Sequence, residues 1–382
     1  MHEIIPTTPP RDTLKTEEML INMGPQHPST HGVLRLVVRT DGEMVRETWP
    51  HIGYLHRSFE KIAESVPYRS VVPYTDRMDY LAAINNELAF CLGVEKLGGI
   101  EVPERAQYLR VITAELNRIA SHLIAFGTYA LDLGAFTPFL YGFREREMII
   151  SILEKLSGGR MLYHYARIGG VIRDITPEIA DEIRAFLVQM RRVWPEYNDL
   201  LSGNQIFLKR TADVGVITAS QAVAWGLTGP CLRGSGVGLD LRKAKPYSSY
   251  DKFDFEIPTG EGLKGTMGDC WDRYWVRMIE IMESCKIIEQ ALGGLPEGDT
   301  MGKVAKVLRL PAGEAYVPCE NPRGELGFYI VSDGQTNAYR VKARGPSFCN
   351  LSITHEVVRG VLIADVVAVI GAFDIVLGEV DR

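Results

Sequence analysis

The chain has 382 residues, of which 46% are hydrophobic and 24% charged, and a net charge of −6. This is ordinary globular composition, long enough for a large core and, by length alone, for roughly two or three domains. The negative balance excludes a nucleic-acid binder that relies on a global positive field.

Residues 1–18 are rich in Pro, Thr and charge and read as an arm. They lack a basic segment followed by an apolar run, so no secretory signal is expected. Strand-like sequence at 19–23 and 33–40 flanks the segment Gly24-Pro25-Gln26-His27-Pro28-Ser29-Thr30-His31-Gly32. Asp41-Gly42 then predicts a tight turn into a third strand over 43–49, because Asp-Gly tolerates the positive φ that such turns need. The histidine loop therefore lies at one end of a small antiparallel meander.

Amphipathic helices follow. The spacing of Leu109, Ile112, Leu116, Ile119 and Leu123 predicts one over 103–126, stopped by Gly127. Another is expected over 143–156, ended by Gly158-Gly159. Thr176-Pro177-Glu178 is a helix start, with a capping hydroxyl, proline in the first turn and an acid favoured by the dipole. That helix should reach about residue 193, before Trp194-Pro195. The longest uncharged run, 214–232, is too polar and too broken by Gly215, Gly226, Gly229 and Pro230 to span a bilayer. A long helix is expected over 271–292, closed by Gly293-Gly294, with 293–302 as a connector. Strands alternate over 314–319, 326–332 and 338–344, with Asp333-Gly334 as a turn. A buried helix is expected over 357–373. No internal repeat is visible. The fold class is α+β, mainly helical, with a helical core flanked by small antiparallel sheets.

Six cysteines are scattered and no CxxC occurs. Iron–sulfur and zinc sites usually show clustered thiolates, so this chain is expected to hold neither, and to work in a reducing compartment. His27 and His31 are four residues apart. That spacing presents two rings to one metal best on a helix, and Pro25 and Pro28 argue for a loop. The two rings either contact a ligand or satisfy loop backbone groups. The acid Asp132, in the apolar setting Leu131-Asp132-Leu133-Gly134, either caps a turn or pairs with a cation.

The segment GPQHPSTHG resembles the signature loop of the 49-kDa-type subunit of respiratory complex I, the proton-pumping NADH:quinone oxidoreductase. The likeness extends through His51-Ile52-Gly53-Tyr54-Leu55-His56-Arg57, Arg77-Met78-Asp79-Tyr80, Asp132-Leu133-Gly134-Ala135, Phe143-Arg144-Glu145-Arg146-Glu147, Arg167-Ile168-Gly169-Gly170 and the terminal Gly378-Glu379-Val380-Asp381-Arg382. It covers nearly the whole chain. It implies a single domain over 19–382, similar to the large subunit of nickel–iron hydrogenases, after the arm at 1–18. Within it the resemblance places a sheet at 19–50, a helical core at 55–292 and a C-terminal sheet and helix at 303–382.

The resemblance implies that His31 and Tyr80 bind the quinone head group and donate protons to it. Asp132 and His27 support them, and Arg77 lies near the terminal iron–sulfur cluster of an adjacent small subunit. No redox cofactor is implied in this chain. The implied substrate is menaquinone or ubiquinone. The implied partners are that small iron–sulfur subunit, a membrane subunit forming the quinone channel and other peripheral-arm subunits, with no nucleic acid. The implied location is peripheral, on the cytoplasmic face of the cell (inner) membrane. NADH, ferredoxin or reduced F420 could each feed such a core.

Two departures matter. Hydrogenase large subunits bind nickel through two CxxC pairs; the corresponding segments here, Gly53-Tyr54-Leu55-His56 and Val376-Leu377-Gly378-Glu379, contain no cysteine. A nickel–iron centre is thereby excluded, which counts against a membrane-bound hydrogenase. A non-catalytic assembly platform is the other alternative. Second, many relatives carry histidine where Leu162 stands, a ring thought to couple cluster reduction to protonation. Whether His164 replaces it is left open by the sequence.

Overall fold

The computed structural model describes residues 18–27 and 31–382. Residues 1–17 of the expected arm lie outside the described residues, as do Pro28, Ser29 and Thr30 of the histidine loop.

The predicted meander is present. Strands β1 (Glu18–Met23), β2 (Arg35–Asp41) and β3 (Met44–His51) pair antiparallel in that order. Gly42 makes the β2–β3 turn at φ 59°. Leu36 and Val38 of β2 and Val45 of β3 are buried against the helical core. Three helices follow: α1 (Phe59–Ser65), α2 (Tyr68–Thr75) and α3 (Ala83–Gly98).

The core is built on α4 (Glu104–Asp132) and α5 (Phe136–Ser157). Both are longer than expected. Gly127 does not stop α4: it lies at the helix crossing, where a Cβ would come within 2.9 Å of the Phe139 Cα. Gly142 of α5 answers from the other side, where a Cβ would meet the Leu123 carbonyl at 2.8 Å. These glycines let two backbones approach rather than end a helix.

A two-residue hairpin, β4 (Ala166–Arg167) and β5 (Gly170–Val171), leads to α6 (Pro177–Tyr197). Thr176 caps α6 by accepting from the Ile179 N–H. The helix passes through Trp194 and Pro195 and widens into a π-turn, Asn198–Ser202, rather than ending at 193. Four short helices follow: α7 (Gln205–Thr211), α8 (Ala219–Ala224), α9 (Pro230–Arg233) and α10 (Leu241–Ala244). The long α11 (Cys270–Gly293) comes next, capped by Asp269.

Strands β6 (Gly313–Asn321), β7 (Gly324–Ser332) and β8 (Arg340–Arg344) form the C-terminal sheet. It packs with α1–α3 around Phe59, Phe90, Phe328 and Ile330, a second apolar cluster beside the large one. Helices α12 (Pro346–Leu351), α13 (Thr354–Val357), α14 (Ile363–Phe373) and α15 (Leu377–Asp381) close the chain. The single helix expected over 357–373 is two, broken where Gly360 takes φ 79°. No helix among the described residues is long and apolar enough to cross a membrane.

The helical core is not purely apolar. Arg233 is fully buried between Glu280 (2.5 Å) and Glu320 (2.7 Å). Arg242 joins Asp240 (2.6 Å) to Glu115 (3.1 Å), and His122 meets Glu280 at 2.8 Å. Each of these buried charges thus has an opposite partner, which such burial requires.

Candidate functional site

The C-terminal turn organises the candidate site. Gly32 follows His31 and lies against Leu377, with 3.8 Å from its ideal Cβ position to the Leu377 Cβ. On the other side, a Cβ at Gly378 would sit 2.5 Å from the Met78 carbonyl and 3.0 Å from that of Arg77. Helix α15 thus packs between the loop that carries His31 and the segment that carries Tyr80.

His31 has a left-handed backbone, φ 49°, which is uncommon for a residue with a Cβ and costs conformational energy. Its ring is directed at Asp132, the last residue of α4, with Nε2 to Oδ2 at 3.0 Å. The contact is ionic in distance but lacks hydrogen-bond alignment. Both side chains are mostly buried, at 14% and 9% exposure. Of the two readings open for Asp132, the structure favours the pairing one, with a histidine ring as the partner. His27 is exposed on the same loop.

Tyr80 is half-buried and follows Asp79. Burial, then the Asp79 charge, pushes its phenol above the ordinary value, so it is a neutral O–H donor at physiological pH. Asp79 is locked. Its Oδ2 accepts from Arg323 Nη1 at 2.7 Å, its Oδ1 accepts from the Leu81 N–H, and its carbonyl accepts from Asn86. Arg323 is fully buried and also reaches Asp374 and the Ser121 hydroxyl. Glu379 is buried close by, taking the Ser347 N–H. Burial, then Asp79, raises its carboxyl to about 7. Sequence reasoning misses this lock: Arg323 lies in the β6–β7 turn and Asp374 just past the end of α14, with no motif to mark them.

Arg77 is half-exposed and donates to the Pro73 carbonyl at 2.5 Å. It borders a cleft of about 230 Å³ with Arg57, Tyr74, Met78 and Arg382. On its other side, clefts of about 330 and 490 Å³ share Arg69 and His164. His31 and Tyr80 line none of these three. His164 accepts from Arg167 Nη1 at 2.7 Å. Burial, then Arg167 and Arg77, lowers its ring to about 4. Leu162 is part-buried nearby in sequence. Among the described residues, no three His, Cys, Asp or Glu side chains gather as metal ligands.

The segment Gly53–His56 meets the C-terminal end of α15. The Gly53 and Leu55 N–H groups donate to the Asp381 carboxylate at 2.8 and 2.7 Å, and His56 Nδ1 contacts the Asp381 carbonyl.

Comparison with known proteins is decisive for the family. The model of the respiratory-chain NADH dehydrogenase 49-kDa subunit matches residues 132–309 and 302–382. The chain belongs to that family. It is 53% identical over 369 residues to the NADH-quinone oxidoreductase D subunit of Bacillus anthracis, covering 96% of this chain and all of the relative. It is 55% identical over 373 residues to the protein of the same name from Chlorobaculum tepidum, covering 97% and 93%. The Bacillus mycoides protein of that name is 53% identical over 369 residues. Family membership thus rests on nearly the full length, including the segments that carry His31, Tyr80 and Asp132.

Proposed function

We propose that this chain is the quinone-site subunit of a proton-translocating NADH-quinone oxidoreductase, supplying one wall of the head-group pocket. The observation that carries the reading is the placement of α15 between the His31 loop and the Tyr80 segment. Two proton donors are thereby held on either side of one structural element, on a surface and not in a closed cavity. A surface of this kind needs partners to complete a pocket: a small iron–sulfur subunit near Arg77 and a membrane subunit that admits the quinone. This chain lies peripherally on the cytoplasmic face of the membrane, as part of the membrane complex.

Two-electron reduction leaves a strongly basic quinone dianion that must take two protons. Tyrosine and histidine, with ordinary values of about 10 and 6.5, can hydrogen-bond the oxidised carbonyls and protonate the reduced oxygens. The raised Tyr80 phenol keeps its proton until a strong base meets it. Asp132 faces the imidazole and sets its orientation. Once His31 has given its proton away, Asp132 loses its counter-charge, and an uncompensated, mostly buried carboxylate favours a local rearrangement.

The domain over 19–382 is similar to the hydrogenase large subunit. The contact of Gly53–His56 with Asp381, just beyond Val376–Glu379, supports this, since the two segments that match the thiolate-bearing ones of hydrogenases then lie near one another.

The experiment replaces His31 by Ala and Tyr80 by Phe in the assembled complex. Quinone reduction should fall by at least about a hundredfold, while transfer to ferricyanide from an NADH-linked input module persists. Unchanged quinone reduction in both variants refutes the reading.

A further inference from the structure

Behind Arg77 lies a pair of acids that the quinone reading does not use. Asp76, at the C-terminal end of α2, and Glu87, in α3, are both fully buried. They are close enough for side-chain hydrogen bonding. Glu87 Oε2 accepts the Ala166 N–H at 2.7 Å. The His164 backbone N–H also faces both acids, but Glu87 Oε1 and both Asp76 oxygens lack a well-aligned hydrogen bond. The nearest cation, Arg77 Nη1, stands 3.8 Å from Asp76, beyond hydrogen-bond reach. Two adjoining buried carboxylates cannot both ionise without a large penalty, and three orphaned acceptor oxygens are more than a native interior ordinarily tolerates. One proton between them removes both problems.

We propose that Asp76 and Glu87 share one proton at neutral pH and take up a second when negative charge arrives at the Arg77 face, so that this carboxyl pair, not His164, is the chain's charge-linked proton site. The proton comes from solvent through the cleft beside Arg77 and His164, forms an O–H bond on the remaining carboxylate, and takes the pair from −1 to neutral. No bond other than O–H changes. The identity of the arriving charge, an electron on a partner's redox group, rests on the proposed function.

The surroundings favour this assignment. The groups facing the pair are Arg77 from its own segment, Cys91 from α3, and Tyr163, His164, Tyr165 and Arg167 from the segment leading into β4. Burial raises both acids, Asp76 to about 6. Arg77 and Arg167 act the other way but leave Asp76 within reach of neutral pH. His164 is a poor alternative. Its Nε2 already accepts from Arg167, two cations oppose its protonation, and its ring is lowered to about 4. It stays neutral where the pair does not.

The test is infrared difference spectroscopy on the purified complex during a reductive titration. A protonated-carboxyl stretch should be present before reduction and should strengthen as electrons enter. Asp76→Asn and Glu87→Gln should each remove the change on reduction, and His164→Ala should leave it. Reduction of the group facing Arg77 should also become less pH-dependent in Asp76→Asn. The proposal is overturned if the wild-type complex shows no such band, if the band ignores reduction, if both acid variants retain the change, or if His164→Ala abolishes it. The wild-type measurement alone can overturn it should a variant fail to assemble. His31→Ala and Tyr80→Phe should leave the band untouched. Quinone activity surviving those two changes therefore removes the quinone reading without touching the carboxyl result.

Discussion

The Tyr80 segment and the His31 loop flank the same C-terminal turn, yet they are held by different physics. Tyr80 stands on Asp79, which is bonded to the fully buried Arg323, which in turn reaches Asp374 and Ser121. His31 hangs on one approach to Asp132, from a strained backbone, beside residues outside the described set. One donor is mounted on a network of buried charges and is fixed. The other rests, among the described residues, on Asp132. Under the proposed function, a wall of one rigid and one responsive donor keeps the substrate in register while the second donor reports on turnover.

The contrast predicts unequal consequences of breaking each mount. The largest effect should come from Arg323→Met, which leaves Asp79 and Asp374 buried without their shared cation. Uncompensated buried charge of this kind costs about 3–5 kcal/mol, so the assembly should release this chain on native gels at moderate temperature.

Glu379→Gln should have an intermediate effect that depends on pH. Glu379 is raised from an ordinary carboxyl value to about 7 by burial, then Asp79. For an acid raised in the folded state, protons bind more tightly to the folded form. Stability is therefore lost as pH rises from about 4.5 to about 7 and stays lost above that. Gln removes the penalty, which is at most about 3 kcal/mol by proton linkage. Thermal dissociation of the complex should be less pH-dependent between about pH 5 and 8 in this variant, with the gain at the alkaline end.

Asp132→Asn should scarcely affect stability, because Asn keeps the shape and the contact with His31 lacks hydrogen-bond alignment. Quinone reduction should nonetheless fall roughly tenfold, as when other partners that orient a histidine are removed. Steady-state rates alongside melting curves separate the two. A stability loss as large as that of Arg323→Met would erase the distinction between the mounts.

The parts of this architecture legible in the sequence are those fixed by local pattern. The Asp41-Gly42 turn, the Thr176 cap and the long helix closed by Gly293-Gly294 all follow from short-range chemistry. Helix ends are not legible where tertiary contact overrides local preference: Gly127 serves a helix crossing, and Pro195 is carried within α6 before a π-turn. At the candidate site, the pairing of His31 with Asp132 follows the motif resemblance, and the structure brings the two together over 101 positions of sequence separation. The Asp79–Arg323–Asp374 lock is not legible because its partners come from distant segments, and the Asp76–Glu87 pair because nothing local marks a charge as buried. The suggestion that His164 takes over for Leu162 is disfavoured by its environment: the ring sits among cations and already accepts from one.

The central claim is that His31 and Tyr80 act on the substrate and not on the fold. The most direct measurement compares quinone and ferricyanide reduction in membranes bearing His31→Ala or Tyr80→Phe, with assembly checked on native gels. Both variants should assemble, retain ferricyanide reduction and lose at least about 99% of quinone reduction. Assembled variants with full quinone reduction would contradict it.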